Sequence, residues 1–371
     1  MEPRGPAGEL HDPLTSLDSA GVADEERVRR FAAQLVGVYT GSVLTPLIDV
    51  GHRTGLFETL AAGCGTSDEI ARRAGLQERY VREWLGAMAA SSIVEYDAAS
   101  RAYTLPADHA AVLTGATVRN MAPFSRLVGS LGTHVDALTR SFREGGGIPY
   151  SSFRPAFTDA MDEAWRRIYD DALVNGFLTV DPEVPARLRA GCRAADIGCG
   201  TGHAIHVMAA AFPQSTFSGF DIGADAIERA QREARELGLR NATFGVADVA
   251  HLTSEVPYDI VFAFDAVHDQ VDPAGVLRHV HDALAPDGVF FIVDFKFSSN
   301  LEDNVGNPFG ALYYGISTMH CMTVSLAEGG AGLGTVWGTQ LATRMLAEAG
   351  FRDVTVHDAP RPQNCVYVCR K

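Results

Sequence analysis

The chain has no C-x-x-C pair and no cysteine–histidine cluster at zinc spacing; its six cysteines stand at 64, 192, 199, 321, 365 and 369. That pattern argues against a zinc module or a paired-thiol redox site, and no metal ligand set is expected. The first twenty residues carry Pro, Gly and acids but no apolar core, so no secretory signal is expected. Without one, the thiols are expected to be reduced and buried in cytosol. No apolar stretch reads as long enough to span a bilayer, and no membrane contact is expected. Positive charge is also scarce. The chain has 31 Lys and Arg against 46 Asp and Glu, a formal net charge of −15, which repels nucleic acid and anionic membrane.

What remains is the composition of a globular protein, 46% hydrophobic and 21% charged. At 371 residues it is too long for one ordinary core and implies two domains or a large addition. The richest stretch is Asp196-Ile-Gly-Cys-Gly-Thr-Gly202, which reads as a strand, a glycine turn and a helix start. Glycines at 198, 200 and 202 remove side chains where the turn is tight and a ligand must approach the backbone. Asp196, two positions before the first glycine, suits a cationic group better than a phosphate. Asp221 ends a second strand nineteen residues past Gly202, the spacing at which an acid binds the ribose hydroxyls of an adenosine.

The glycine stretch resembles the first motif of class I S-adenosylmethionine (SAM) dependent methyltransferases. The resemblance places Asp221 at the ribose and Asp248 beside the adenine amino group, with Ile222 and Val249 next to them as further donor contacts. Residues 284–293, Leu-Ala-Pro-Asp-Gly-Val-Phe-Phe-Ile-Val, look like that family's turn into a fifth strand. The implied fold is α/β: a Rossmann-like sheet, mostly parallel with an antiparallel last strand, over 181–371. The implied cofactor is SAM, held by Asp196, Gly198, Gly200, Gly202, Asp221, Ile222, Asp248, Val249 and Phe264.

Upstream, 1–22 reads as a disordered tail. Apolar residues at helical spacing predict one helix from Asp24 through Val38 and, after a Gly41-Ser42 break, a second toward Gly55. Thr66 and Glu69 form a capping-box pattern, Gly75 ends that helix, and 77–90 forms another. Residues 93–96 and 101–105 alternate as a small hairpin, which completes a winged helix. Its second helix carries Glu78, Arg79, Arg82 and Glu83, which sum to zero, and 66–109 hold five arginines against seven acids. A DNA-reading helix would be basic. The winged helix is therefore expected to dimerise, giving a homodimer, and not to bind nucleic acid. This half resembles the N-terminal dimerisation domain of small-molecule O-methyltransferases.

The implied domains are 23–118, a helical connector over 119–180 broken at Gly145-Gly-Gly, and the SAM domain over 181–371. The connector's aromatic stripe reads as core; the resemblance, in which this segment covers the methionine end of SAM, implies Tyr150 and Phe153 near the donor. Beyond the apolar strand 258–264 comes Ala266-Val-His-Asp-Gln-Val-Asp272, which is similar to the His-Asp motif of plant-type O-methyltransferases, with Gln270 where that pattern has Trp. The resemblance makes His268 the general base, oriented by Asp269; a surface or capping histidine is the alternative. A neutral imidazole is suited to take a hydroxyl proton. The stretch 296–336 is too long for a connector and forms a lid, a binding wall or a dimer arm. Within it Tyr313, Tyr314 and Met319 are candidate substrate contacts, and His320 is a rival base. The expected activity is methyl transfer to a small molecule, at a hydroxyl oxygen; N-, C- or S-methylation and a SAM-sensing regulator are the alternatives.

Overall fold

Asp24 starts the first helix of the computed structural model, which describes residues 24–371; the tail expected over 1–22 lies outside them. The Asp24 carboxylate accepts from the Glu26 amide at 3.0 Å and opens α1 (Glu25–Arg53). The break expected at Gly41-Ser42 does not occur. Hydroxyls of Thr40, Ser42 and Thr45 bond back to the carbonyls of Val36, Tyr39 and Gly41 at 2.8–2.9 Å, and the helix runs on through Pro46. A glycine within a helix costs only about 1 kcal/mol, which the long helix absorbs.

α1 also corrects the reading on apolar stretches. By length and composition it is long and apolar enough to cross a membrane, with a window of mean hydropathy 1.4. Interspersed Gly, Ser and Thr hide this in the sequence. Val28, Phe31, Val36, Val38, Tyr39 and Val43 are exposed along it.

The winged-helix elements follow. They are α2 (Leu56–Ala61), α3 (Ser67–Ala74), α4 (Glu78–Ala90), the antiparallel pair β1 (Glu95–Asp97) and β2 (Ala102–Thr104), and α5 (Ala107–Leu113). The capping box forms as the sequence implies: Thr66 Oγ1 accepts from the Glu69 amide and Glu69 accepts from the Thr66 amide. Phe57, Ile70, Leu85 and Met88 fill this unit's core. Trp84 Nε1 donates to the Leu47 carbonyl at 2.8 Å and fastens α4 to α1.

The connector is α6 (Ala122–Leu131), α7 (Val135–Glu144) and α8 (Ala156–Ala172), with the glycine break after α7, and α9 (Glu183–Ala190) leads into the sheet. α8 joins the two halves. Glu163 takes His52 of α1 at 2.7 Å, while the half-buried Asp162 accepts from Thr201 Oγ1 at 2.5 Å and from Arg229 at 2.6 Å.

The remaining strands are β3 (Arg193–Ile197), β4 (Thr216–Asp221), β5 (Ala242–Val246), β6 (Tyr258–Phe264), β7 (Leu284–Phe295), β8 (Asp353–Asp358) and β9 (Asn364–Arg370). They form one sheet in the order β5-β4-β3-β6-β7-β9-β8, parallel from β5 to β7, with β9 antiparallel to both neighbours. α10 (His203–Ala211), α11 (Ala224–Glu236), α12 (Pro273–Ala283) and α16 (Thr339–Glu348) pack on the sheet, with one apolar core on each face. Burial on both faces explains why β6 and β7 read as unbroken apolar runs. Between β7 and α16 the insertion folds into α13 (Leu301–Asn304), α14 (Gly310–Met319) and α15 (Cys321–Ala327). Tyr313, Ile316, Cys321 and Val324 pack with Leu127, Leu131, Phe153 and Phe157 of the connector, so this segment is a wall of the molecule's own interior.

Candidate active site

The chain runs outward from β3 to β5 and then returns to β6 on β3's other side, which opens a crevice at the strands' carboxyl ends. A cleft of about 1230 Å³ lies there, above the roughly 300–1,000 Å³ of single-ligand pockets, with room for two molecules.

One half is built by the glycine loop. Gly198 has φ +67° and an added Cβ would lie 2.6 Å from Ala266 Cβ, so no other residue fits. Gly200 has φ +53° with open space around its missing Cβ; a side chain there would stand in the cleft. Gly202 does not line the cleft, because Phe244 and Ala230 press on it, and it serves helix–sheet packing. Asp196 is buried and its Oδ1 has no hydrogen-bond partner. Burial, then the Asp221 charge, pushes its pKa well up. A buried carboxylate oxygen without a donor fits a protonated amine. Asp221 accepts from the Gly200 and Gly223 amides at 2.8 and 2.7 Å, which ties the loop to β4. Burial raises its pKa against those two amides.

Ile222, 65% exposed, and the buried Val249 and Phe264 line the same cleft. Asp248 lines it with a half-exposed carboxylate that accepts from the Ala250 amide at 2.9 Å and meets His251 at 3.2 Å. Tyr150 and Arg154 border this half; Arg154 pairs with Asp225. Phe153 is buried behind the wall and does not line it.

The other half begins where β6 ends. Asp265 has φ +56°, a left-handed backbone that Asp tolerates better than most residues, and it is tied to β7 through its amide to the Val293 carbonyl. Its Oδ1 is buried without a partner, and burial pushes its pKa well up, with His268 pulling the other way. His268, 2% exposed, holds Nδ1 at 3.0 and 3.2 Å from the two Asp294 oxygens, while Nε2 faces Asp265 Oδ1 across 3.7 Å. Asp294 also accepts from Trp337 Nε1 at 3.1 Å and the Phe295 amide at 2.7 Å. Burial alone would lower the His268 pKa, but Asp294 carries it well above the usual imidazole value.

Asp269 is therefore not the orienting acid. It lines the cleft one residue on, its pKa pushed up to about 6 by burial against the pull of His268. Asp294 was missed in the sequence because only the sheet brings β7 beside β6; an acid ending a buried apolar strand was the available signal.

His320 sits on the opposite wall, stacked on Phe157 at 3.7 Å between centroids, with both ring nitrogens buried and unpartnered. Burial, then His268, lowers its pKa to about 3, so the ring is neutral. Tyr313 lines the cleft with it, but Tyr314 and Met319 do not. Positions 313, 316 and 320 share one face of the helical segment, whereas 314 is turned about 100° away and its hydroxyl accepts from Asn304. Met319 packs behind the wall.

Among the described residues two groups of metal-ligand type also form, where none was expected. Asp265, His268 and Asp294 place donor atoms within 4.8 Å of one another, as do His203, His206 and Glu233. In the second group Arg166 already bonds His203 and Glu233, so a cation of the protein's own occupies that position.

Residues 42–115 match the Rv2258c-like winged HTH domain and residues 188–350 a methyltransferase domain. A trans-aconitate 2-methyltransferase of Methylobacterium nodulans is 30% identical over 116 residues, 31% of this chain; the chain spans only 42% of that relative's length. Among solved structures, mitomycin 7-O-methyltransferase shares the fold at a TM-score of 0.68 and 18% identity, over 93% of this chain and 99% of that one. Human N-acetylserotonin methyltransferase in complex with SAM does so at 0.65 and 16%, over 95% and 99%. Residues 42–115 thus match a winged HTH domain and residues 188–350 a methyltransferase domain, on a fold shared with solved methyltransferases.

Proposed function

We propose that this protein methylates a hydroxyl oxygen of a small molecule, with His268 as general base. The observation that carries the reading is the His268–Asp294 pair at the end of β6, in the same cleft as the glycine loop and Asp221. SAM, when bound, supplies an electrophilic methyl group on a sulfonium that leaves as a neutral thioether. Asp196, Gly198, Gly200, Asp221, Ile222, Asp248, Val249 and Phe264 hold the donor; Asp196 offers its unpaired oxygen to the amine of the methionine end, and Asp221 meets the ribose. Asp294 keeps the His268 Nδ1 proton in place, so that Nε2 takes the acceptor's hydroxyl proton. The apolar wall of Phe157, Tyr313 and Ile316 excludes water and aligns the acceptor, and alignment supplies up to about 7–11 kcal/mol of a barrier. His320, neutral and unpartnered, is placed to hydrogen-bond the acceptor.

The reading includes a homodimer with its contact through the winged helix, the domain division 23–118, 119–180 and 181–371, and a cytoplasmic setting. The N-, C- and S-methylation alternatives keep the donor site and leave His268 to orient the acceptor. A SAM-sensing regulator is disfavoured by α4, whose arginines are tied to Glu78 and Glu83 four residues away. Turnover of His268→Gln with a hydroxylated acceptor at saturating SAM is the test; unchanged turnover removes the base assignment.

A further inference from the structure

Among the described residues four arginines line the cleft, and three are matched by acids: Arg154 by Asp225, Arg166 by Asp162 and Glu233, Arg167 by Glu163. Arg361 is different. It is half-buried, burial pushes its guanidinium pKa down, and only the Tyr313 hydroxyl acts the other way; no carboxylate among the described residues contributes. With the Gln363 amide set to satisfy its neighbours, its oxygen accepts from Arg361 Nε at 3.1 Å and Nη2 at 2.6 Å, which leaves the charge itself unmatched. A cation taken out of water without a counter-ion is costly unless something else brings the anion.

The turn that carries it is rigid and well placed. Arg361 stands between Pro360 and Pro362 in the β8–β9 connection. The Gln363 carbonyl accepts from the Lys296 amide at 2.9 Å and Asn364 Nδ2 reaches the Asp294 carbonyl at 3.4 Å, so the turn is sewn to the end of β7. Phe295 pairs with Asn364, just past that turn, and its ring centroid is 6.4 Å from His268 and 4.3 Å from Tyr313. The base and the arginine's turn thus meet the same aromatic residue.

We propose that the methyl acceptor is a hydroxylated carboxylic acid with an apolar body, its carboxylate anchored by Arg361. This rests on the methyl-transfer reading above. A guanidinium fork matches a carboxylate in a bidentate fashion, which an ammonium does not.

The test uses the full chain saturated with S-adenosylhomocysteine. Calorimetry would compare 4-hydroxybenzoate and 4-hydroxycinnamate with their methyl esters. The acids are expected to bind at least about 10-fold tighter than the esters. Arg361→Gln should lose about 10- to 100-fold for the acids and nothing for the esters, with Arg361→Lys between. Equal binding of acid and ester, a preference that survives Arg361→Gln, or no binding of either series to the wild type overturns the proposal. As a second measurement, Arg361→Met should melt no lower than the wild type, because an unmatched cation is removed. A clear fall would make the guanidinium a support for the turn and likewise overturn it. Binding of S-adenosylhomocysteine itself separates the two readings: its absence defeats methyl transfer, whereas its presence with no acid preference defeats the carboxylate anchor alone.

Discussion

The His268 imidazole is bound at Nδ1 by Asp294, 26 residues away in the chain, and not by its neighbour Asp269. Asp294 is itself held by Trp337 and the Phe295 amide, so three donors fix one carboxylate. That is the arrangement of a base with an orienting acid behind it. His268→Gln is expected to keep SAM binding and lose roughly 10²-fold or more in turnover. Asp294→Asn should cost a comparable factor, while Asp269→Asn should cost less. Steady-state kinetics on these variants and on His320→Gln decide the base: a normal His268→Gln beside a dead His320→Gln would move it to the α14–α15 wall.

The sign of the pH dependence follows from the raised His268 pKa. Asp294 faces Nδ1, and Asp265, Asp269, His320 and Cys321 are the other titratable neighbours among the described residues. The ring holds its proton at neutral pH and becomes a base only as pH rises, so turnover should climb through neutrality and beyond. Asp294→Asn should shift that limb to lower pH. In stability the pair contributes fully below the unfolded value of about 6.5 and is lost as pH rises through the folded value. A kcat that is flat from pH 6 to 9 with a hydroxylated acceptor would contradict this.

Asp221 closes the glycine loop through two amides and lies at the cleft floor. Asp221→Ala should weaken SAM by about 10-fold or more, as expected for charged hydrogen bonds. Asp248→Ala should cost less, since Asp248 is half exposed and already caps Ala250. Calorimetry on the purified variants measures both, and an unchanged affinity in Asp221→Ala would count decisively against the donor site.

Chelation provides an independent check on Asp265, His268 and Asp294. Their donor atoms cluster within 4.8 Å, but His268 Nδ1 is already engaged by Asp294. Turnover is expected to survive exhaustive dialysis against EDTA. Activity that disappears and returns with a divalent cation would convert the base pair into a ligand set.

The winged helix is expected to dimerise and to ignore DNA. Sedimentation should give a dimer, and replacing the exposed Phe31 and Tyr39 of α1 with Ser should weaken it if α1 contributes. Tight, sequence-specific duplex binding at physiological salt would defeat this reading.

Local chemistry made much of this molecule legible in the sequence. The Thr66–Glu69 box, the glycine loop, Asp221 at its fixed interval and the apolar strands all depend on residues within a few positions or one βα unit of one another. The class I sheet with its antiparallel last strand follows from that order. The tertiary structure decided what crosses between elements. Side-chain hydroxyls carried α1 through Gly41, and helical phase put Tyr313 and His320 in the cleft while turning Tyr314 and Met319 away. Sheet pairing of β6 with β7 set Asp294 behind His268 and a strained Asp265 in front, and the β8–β9 turn delivered Arg361 to the same wall. Asp294 and Arg361 are separated in sequence from the residues they act upon by at least one strand or helix, so no spacing rule registers them; packing alone brings them there.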